Sequence, residues 1–158
     1  MACARKRDRL FALLLCLNLI FIWGNSLMPG PVSSEVSRCV GELVEQIFQL
    51  PVNESEGGHG LLRKLAHFSE FACLGLLLCR QLTAAGRKGK DRAALTLLGG
   101  LATACIDETI QIFTAGRASS LIDVWIDTCG TMVGMMILIL GYHFLNRIHG
   151  NKTMEEIL

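Results

Sequence analysis

Charged residues are scarce in this sequence. Asp, Glu, Lys and Arg make up 18% of its 158 residues, whereas about a quarter of the residues of a soluble domain are charged. Hydrophobic residues make up 51%, and the mean hydropathy is +0.44. This composition excludes an ordinary soluble domain and indicates a small integral membrane protein. The length suits one helical bundle, and the sequence contains no internal repeat.

Aromatic residues are also few, at 6%. The basic residues cluster at positions 5–9 and 87–92, and each cluster adjoins an apolar run without an aromatic platform beside it. Single-stranded nucleic acid is usually held by basic grooves that carry such platforms. The pattern therefore argues against nucleic acid as a partner and is typical of segments that flank membrane spans.

The seven cysteines form no C-x-x-C pair. Cys16, Cys73, Cys105 and Cys129 lie inside apolar runs, where a thiol behaves as a small hydrophobic group. The odd number and the scattered positions argue against a disulfide framework. We therefore predict that no cysteine is functional.

Proline is found only at positions 29, 31 and 51, where it divides the chain. Four apolar runs long enough to cross a bilayer as helices cover residues 10–28, 61–82, 93–113 and 121–144. Between the prolines, apolar residues recur at helical spacing from Val36 to Phe48, which predicts a short amphipathic helix on the membrane surface or on the bundle. The predicted fold class is all-α: one domain over residues 1–158, an integral membrane bundle of about four transmembrane helices plus one amphipathic surface helix.

Two local patterns have alternative interpretations. The small residues Gly24-Asn25-Ser26 fit a signal-peptide cleavage site, but we expect an uncleaved anchor because the rest of the chain is also membranous. Asn53-Glu54-Ser55 fits a glycosylation sequon, which is a weak signal. We expect residues 53–60 to form a polar loop.

Basic residues near span ends remain in the cytoplasm, which predicts the orientation. Residues 1–9, the loop 83–92 and the tail 146–158 agree in being cytoplasmic, which places segment 29–60 and link 114–120 outside. We therefore predict a multi-pass protein of the plasma membrane with a cytoplasmic N-terminus.

Under this topology, the acidic residues inside the runs, together with Lys64 and His67, all lie in the outer half of the bilayer. Each costs roughly 2.5–3.5 kcal/mol at a helix centre on insertion scales. Lipid cannot solvate them, so we expect them to face one chamber inside the bundle. The predicted ligand-binding residues are Lys64, His67, Glu70, Asp107, Glu108, Gln111, Arg117, Asp123 and Asp127.

Small residues accompany this polar face. At about 100° per residue, Gly130 and Gly134 lie on the same side of their helix as Asp123 and Asp127. Their small-xxx-small spacing predicts close helix packing.

These residue types are compatible with several chemistries. Arg117 and Lys64 suit a phosphate or carboxylate, since a guanidinium is planar and bidentate. Carboxylates suit Mg, Ca or Mn, and a histidine broadens the choice of divalent metal. The candidate metal ligands are His67, Glu70, Asp107, Asp123 and Asp127.

Two further interpretations stay open. His67 with Glu70 or Glu108 can act as an acid–base pair, although no nucleophile motif is present. Alternatively, the polar residues form a self-satisfied structural network in which Arg117 pairs with Asp123 or Glu108.

Two stretches resemble the signatures of the VanZ-like family, with order and spacing intact over residues of about 60–137. The first is Lys64-Leu-Ala-His67-Phe-x-Glu70-Phe71 followed by Leu74-Gly75. The second is Asp107-Glu108-x-x-Gln111-x-Phe113-x-x-Gly116-Arg117-x-x-Ser120-x-x-Asp123-Val124-x-x-Asp127-x-x-Gly130-x-x-x-Gly134. Ser26, at the end of the first span, also fits the family's pattern.

Four positions depart from that pattern. Phe71 stands where a Tyr is usual, Ile110 where a His often precedes the Gln, Ala115 where a Pro often precedes Gly-Arg, and Asp127 where many relatives have Asn. Without a second histidine, His67 would have to serve alone.

The resemblance implies a small bacterial membrane protein of four or five hydrophobic segments. The family's founding member is associated with low-level teicoplanin resistance, which names a phenotype and not a reaction. We therefore expect a cell-envelope protein that binds an anionic lipid-linked or amphiphilic ligand, such as a lipid-linked cell-wall precursor or a lipoglycopeptide. The alternatives are a metal-dependent enzyme acting on a lipid-linked phosphate, with His67, Glu70 and Glu108 as catalytic candidates, and a structural or partner-binding protein.

Overall fold

The computed structural model describes residues 2–48 and 56–155, which form five helices and no strand. In chain order the helices are α1 (Ala2–Ser26), α2 (Gly30–Phe48), α3 (Glu56–Ala84), α4 (Gly89–Ile112) and α5 (Leu121–Glu155). The predicted all-α class is confirmed. The sequon at Asn53 lies outside the described residues.

Three stretches of helix in the described part of the chain are long and apolar enough to cross a membrane: Lys6–Ser26, Gly89–Ile112 and Leu121–Ile148. α3 is not among them, since ionisable residues crowd its first half. It is nevertheless the central helix and contacts each of the other four. Its 29 residues extend about 44 Å, more than the roughly 30 Å of a hydrocarbon core. The neighbouring helices shield its polar half, so the bundle is compatible with the predicted four spans.

The apolar residues are distributed as in a protein surrounded by lipid. A small core cluster of Ile22, Phe71, Leu74 and Ala104 is fully buried. Many more large apolar side chains point outward from the helices. They include Leu17, Ile20, Leu98, Ile106, Trp125, Ile137, Leu140 and Phe144. With family membership shown below, this supports a multi-pass membrane protein.

Glycines allow the backbones of α3 and α5 to touch. A Cβ on Gly134 would collide with the carbonyl oxygen of Ala72, and one on Gly75 would collide with that of Thr131. Any larger residue at either position must push the helices apart. This contact fixes the rotation of α5 relative to α3, and hence which side of α5 faces the polar residues.

Several helix boundaries differ from the sequence prediction. Residues 56–60, predicted as loop, are helical, because glycines in a helix end cost only about 1 kcal/mol each and the apolar run that follows extends the helix. Most of the two polar terminal segments, for which the sequence analysis predicts no helix, is also helical, over residues 2–9 and 146–155. Neither segment contains the proline that would stop a helix.

The two connections at one end of the bundle pack against each other. Gly116, in the link between α4 and α5, has a φ of 73°, a conformation that glycine adopts without steric cost. The Gly30 amide at the start of α2 donates to the Ala115 carbonyl oxygen at 3.0 Å. A Cβ on Gly30 would overlap the backbone of Gly116. The contact holds the link over the end of α1, beside the predicted polar residues.

Candidate functional site

Eight of the nine predicted ligand-binding residues line two adjoining cavities at this end of the bundle, and the ninth, Asp107, is fully buried. The first, which we call the acidic cavity, has a volume of about 10 Å³ and lies among α3, α4 and α5. Its lining residues are Arg63, Lys64, His67, Glu108, Gln111, Asp123, Ile126 and Asp127.

The second, the arginine cavity, has a volume of about 90 Å³ and lies among α1, α2, α3 and the α4–α5 link. Its lining residues are Asn25, Met28, Ser33, Val36, Ser37, Arg63, Ala66, His67, Glu70 and Arg117. Arg63 and His67 line both cavities, so the two are neighbours.

Asp107 is the best-anchored acid of the site and is fully buried. Ser26 Oγ donates to its Oδ1 at 2.7 Å, and Gln111 Nε2 donates to its Oδ2 at 2.9 Å. Thr114 Oγ1 donates to the Ser26 carbonyl oxygen at 3.0 Å. Because a buried carboxylate is costly unless it is hydrogen-bonded, these contacts fix both its position and the packing of α1 on α4.

Arg117, from the link, binds the end of α1. Its Nε donates to the Met28 carbonyl oxygen at 3.1 Å, and its Nη2 donates to that of Asn25 at 2.8 Å. The last carbonyls of a helix have no partner within the helix, and the guanidinium supplies one. No carboxylate of the described chain lies within ion-pairing distance of Arg117, so the suggested pairing with Asp123 or Glu108 is not formed. Its Nη1 is buried and has no hydrogen-bond partner among residues 2–48 and 56–155.

Glu70 and His67 face each other on α3, and both are largely buried. Asn25 Nδ2 donates to Glu70 Oε1 at 2.8 Å. Glu70 Oε2 lies 3.9 Å from His67 Nδ1, which is beyond hydrogen-bond distance. In the described part of the chain neither atom has a hydrogen-bond partner, so each retains capacity for a further contact.

Three metal-ligating side chains meet beside this pair. His67, Asp107 and Asp127, from α3, α4 and α5, each bring one ligand atom within 4.8 Å of the others. Asp127 is only 2% exposed, and its carboxylate accepts no hydrogen bond from the described residues. Near it, Glu108 is 5% exposed. Its Oε2 accepts from the Ser120 amide at 2.7 Å, whereas its Oε1 has no partner in the described chain.

Lys64 and Asp123 form the outer edge of the acidic cavity. Lys64 Nζ lies 3.5 Å from Asp123 Oδ1, and the side chains are 44% and 22% exposed. Carboxylates outnumber cations among the residues that line the two cavities: these are Glu70, Glu108, Asp123 and Asp127 against Arg63, Lys64 and Arg117, together with His67. The acidic cavity therefore favours a positive ligand, and the arginine cavity a negative one.

A family model described as VanZ/LLP1 matches residues 11–142. The chain belongs to the VanZ/LLP1 family. The match includes every residue that lines either cavity, and it confirms the resemblance carried by the two signatures. No curated protein and no solved structure shows significant similarity to the chain.

Sequence reasoning does not assign Asn25, Ser26 or Arg63 to the ligand-binding residues of this VanZ/LLP1 site, although Ser26 is part of the resemblance. Asn25 and Ser26 are the last residues of α1, so they lie at the same level of the bundle as the acids. Arg63 directly precedes Lys64. The sequence offers two indications for these residues: the level that Asn25 and Ser26 share with the acids, and the position of Arg63 next to Lys64. Neither indicates the direction in which a side chain points.

Proposed function

We propose that this VanZ/LLP1 protein binds the anionic headgroup of an amphiphile in the arginine cavity. The observation that carries the proposal is the incomplete hydrogen bonding of the Arg117 guanidinium group. Its Nε and Nη2 are fixed by backbone carbonyls, while its Nη1 has no partner in the described chain and the side chain lines the same cavity as Arg63. Two guanidinium groups at one cavity suit a phosphate or carboxylate, which accepts several charge-assisted hydrogen bonds at once.

The surroundings of the cavity favour a ligand that is also apolar. α2 carries a stripe of half-exposed apolar side chains, and one of them, Val36, lines the arginine cavity. The other members of the stripe are Val32, Val40 and Leu43. A cavity of about 90 Å³ suits one phosphate or carboxylate group, and the adjoining apolar stripe suits the chain attached to it.

The proposed ligands are a lipid-linked cell-wall precursor or a lipoglycopeptide, met at the outer leaflet of a bacterial plasma membrane. The distribution of basic residues supports this orientation, and glycopeptides act on that side of the membrane. Binding there would alter the response of the cell to teicoplanin.

The test of binding uses a polyprenyl phosphate and the uncharged polyprenol of the same length, each added to the purified protein and followed by native mass spectrometry. Arg63→Gln removes a cavity cation that holds no backbone group, so we expect it to fold and to lose preference for the phosphate. Arg38→Gln is the matched control, since Arg38 pairs with Glu42 at 2.9 Å on the exposed face of α2. Equal binding of phosphate and alcohol by the unaltered protein would overturn the proposal.

The cellular test measures the minimal inhibitory concentration of teicoplanin and of a glycopeptide without an acyl chain. We expect expression of the protein to raise the minimal inhibitory concentration of teicoplanin more than that of the other glycopeptide. The Arg63→Gln variant, expressed at the same level, should not raise it. No change for either drug would remove the link to resistance and leave the lipid-binding result intact.

A second candidate function is a metal-dependent enzyme that acts on a lipid-linked phosphate. The observation favouring it is that His67 belongs both to the arginine cavity and to the group of metal-ligating side chains. Release of inorganic phosphate from a polyprenyl diphosphate, measured with and without added Mn²⁺ or Zn²⁺, tests it. Absence of release with either ion would leave binding as the function.

A further inference from the structure

We propose that His67, Asp107 and Asp127 bind one divalent transition-metal ion, Mn²⁺ or Zn²⁺, beside the acidic cavity, which His67 and Asp127 line. The proposal does not depend on anion binding in the arginine cavity. It concerns the ion alone and assigns no reaction to it.

The spacing of the donor atoms suits a small ion. Ligand atoms about 2.0–2.2 Å from a metal lie roughly 3.3–4.4 Å from one another. The three donor atoms lie within 4.8 Å of one another, so side-chain shifts of several tenths of an ångström complete the site. Each ligand comes from a different helix, and the α3–α5 glycine contact holds two of those helices together.

A second observation points to a cation independently of this spacing. Glu108 lines the acidic cavity and is only 5% exposed. Its Oε1 has no hydrogen-bond partner among the described residues. Asp127 is buried beside it, with neither a hydrogen bond nor an ion pair to its carboxylate from that part of the chain. Among the described residues, Lys64 pairs with Asp123, Arg117 bonds to backbone carbonyls, and Arg63, which also lines the cavity, forms no ion pair with Glu108 or Asp127. Buried carboxylates without compensation are costly, and a divalent ion would compensate both.

The surrounding hydrogen bonds orient the ligands as those around metal sites do. Ser26 and Gln111 each hold one oxygen of Asp107, leaving a second lone pair on each oxygen for an ion. His67 Nδ1 lies 3.9 Å from Glu70 Oε2, and a ring that directs an Nδ1 proton toward this carboxylate would offer Nε2 to the metal. A carboxylate behind the histidine is a common arrangement in metal sites, because it orients the ring and strengthens the other nitrogen as a ligand.

The mixture of one imidazole and two carboxylates determines the choice of ion. Ca²⁺ and Mg²⁺ prefer oxygen ligands alone, whereas Mn²⁺ and Zn²⁺ accept nitrogen and oxygen together. We therefore expect the site to prefer the transition metals even when Ca²⁺ is in excess.

The experiment titrates the full-length protein in uncharged detergent with MnCl₂, following free Mn²⁺ by electron paramagnetic resonance. We expect one saturable ion per chain, displaced by Zn²⁺ and retained in excess Ca²⁺. Asp127→Asn should weaken Mn²⁺ binding by more than about tenfold. Glu70→Gln, which removes the negative charge of the carboxylate behind His67, should weaken it by about tenfold. Asp91→Asn is the control, since Asp91 is an exposed acid in the first turn of α4.

Two outcomes would overturn the proposal: no saturable Mn²⁺ binding by the unaltered protein, or equal binding by Asp127→Asn and Asp91→Asn. Asp127→Asn removes an uncompensated buried charge, so we expect it to fold, and thermal unfolding without metal checks this. Arg63→Gln separates the two proposals. Because Arg63 lines both cavities, removal of its positive charge should tighten Mn²⁺ binding while abolishing the preference for a polyprenyl phosphate, so either site can fail without the other.

Discussion

The Ser26 hydroxyl donates a hydrogen bond to the Asp107 carboxylate, with 2.7 Å between Oγ and Oδ1, although the residues are 81 positions apart in the sequence. Both side chains are fully buried. The bond joins the last turn of α1 to the last two turns of α4. It therefore couples the stability of the bundle to the position of an acid that lies at the centre of the site.

Ser26→Ala should lower the free energy of unfolding by about 1–3 kcal/mol, because it leaves an oxygen of a buried carboxylate without its donor. Reversible unfolding in mixed detergent micelles measures the change. Ser69→Ala is the control, since the Ser69 hydroxyl is exposed and bonds only to the Ala66 carbonyl oxygen of its own helix. An equal effect of the two substitutions would show that the bond between α1 and α4 contributes nothing particular.

Gly134→Ala should destabilise the protein by about 1–3 kcal/mol, the usual cost of forcing extra volume into a packed interface. The new methyl group would meet the backbone of Ala72, which cannot move aside as a side chain can. Gly141→Ala is the matched control on the same helix, because no atom lies within 4 Å of the added carbon. The same unfolding assay compares them, and a tolerated Gly134→Ala would contradict the described contact of α3 and α5.

Arg80→Lys should destabilise the protein by about 1 kcal/mol without changing Mn²⁺ or lipid binding. Arg80 Nη2 lies 2.9 Å from Asp8 Oδ1, and its guanidinium stacks 4.9 Å from the centre of the Phe11 ring. Lysine lacks the planar group that makes both contacts. Because this cluster lies at the other end of the bundle from the two cavities, a loss of metal binding would show that destabilisation alone disturbs the site.

The Lys64–Asp123 pair should contribute little to stability. A double-mutant cycle with Lys64→Gln and Asp123→Asn should give a coupling energy of about 0.2–1 kcal/mol, as for other pairs that solvent screens. Lys64 is 44% exposed, which reduces the attraction. A coupling above about 2 kcal/mol would mean that lipid excludes water from this edge of the acidic cavity.

The orientation in the membrane is a separate prediction. In a cysteine-free background, Ser119→Cys should react with a membrane-impermeant maleimide in intact cells, and Lys88→Cys only after permeabilisation. Both positions are exposed in connections, at opposite ends of the bundle. The reverse pattern would place the two cavities on the cytoplasmic side and exclude the proposed extracellular ligands.

Much of the architecture follows from the sequence alone. Apolar runs of membrane length predict helices because a chain in lipid must satisfy its backbone hydrogen bonds internally. The place of each acid within its run predicts its depth, so the common level of Glu70, Asp107 and Asp123 could be inferred. The ends of the helices could not, since residues 56–60 and 146–155 are polar yet lack a proline to stop them.

Only the tertiary structure decided which polar groups meet. Asp123 and Asp127 lie on one face of one helix, yet the first pairs with Lys64 and the second faces His67 and Asp107. Their partners depend on the rotation and crossing of neighbouring helices, which Gly75 and Gly134 set by backbone contact. Sequence therefore determined the level of each residue along the bundle, because hydrophobic length is local. The structure decided its partners, because side-chain direction depends on how separate helices pack.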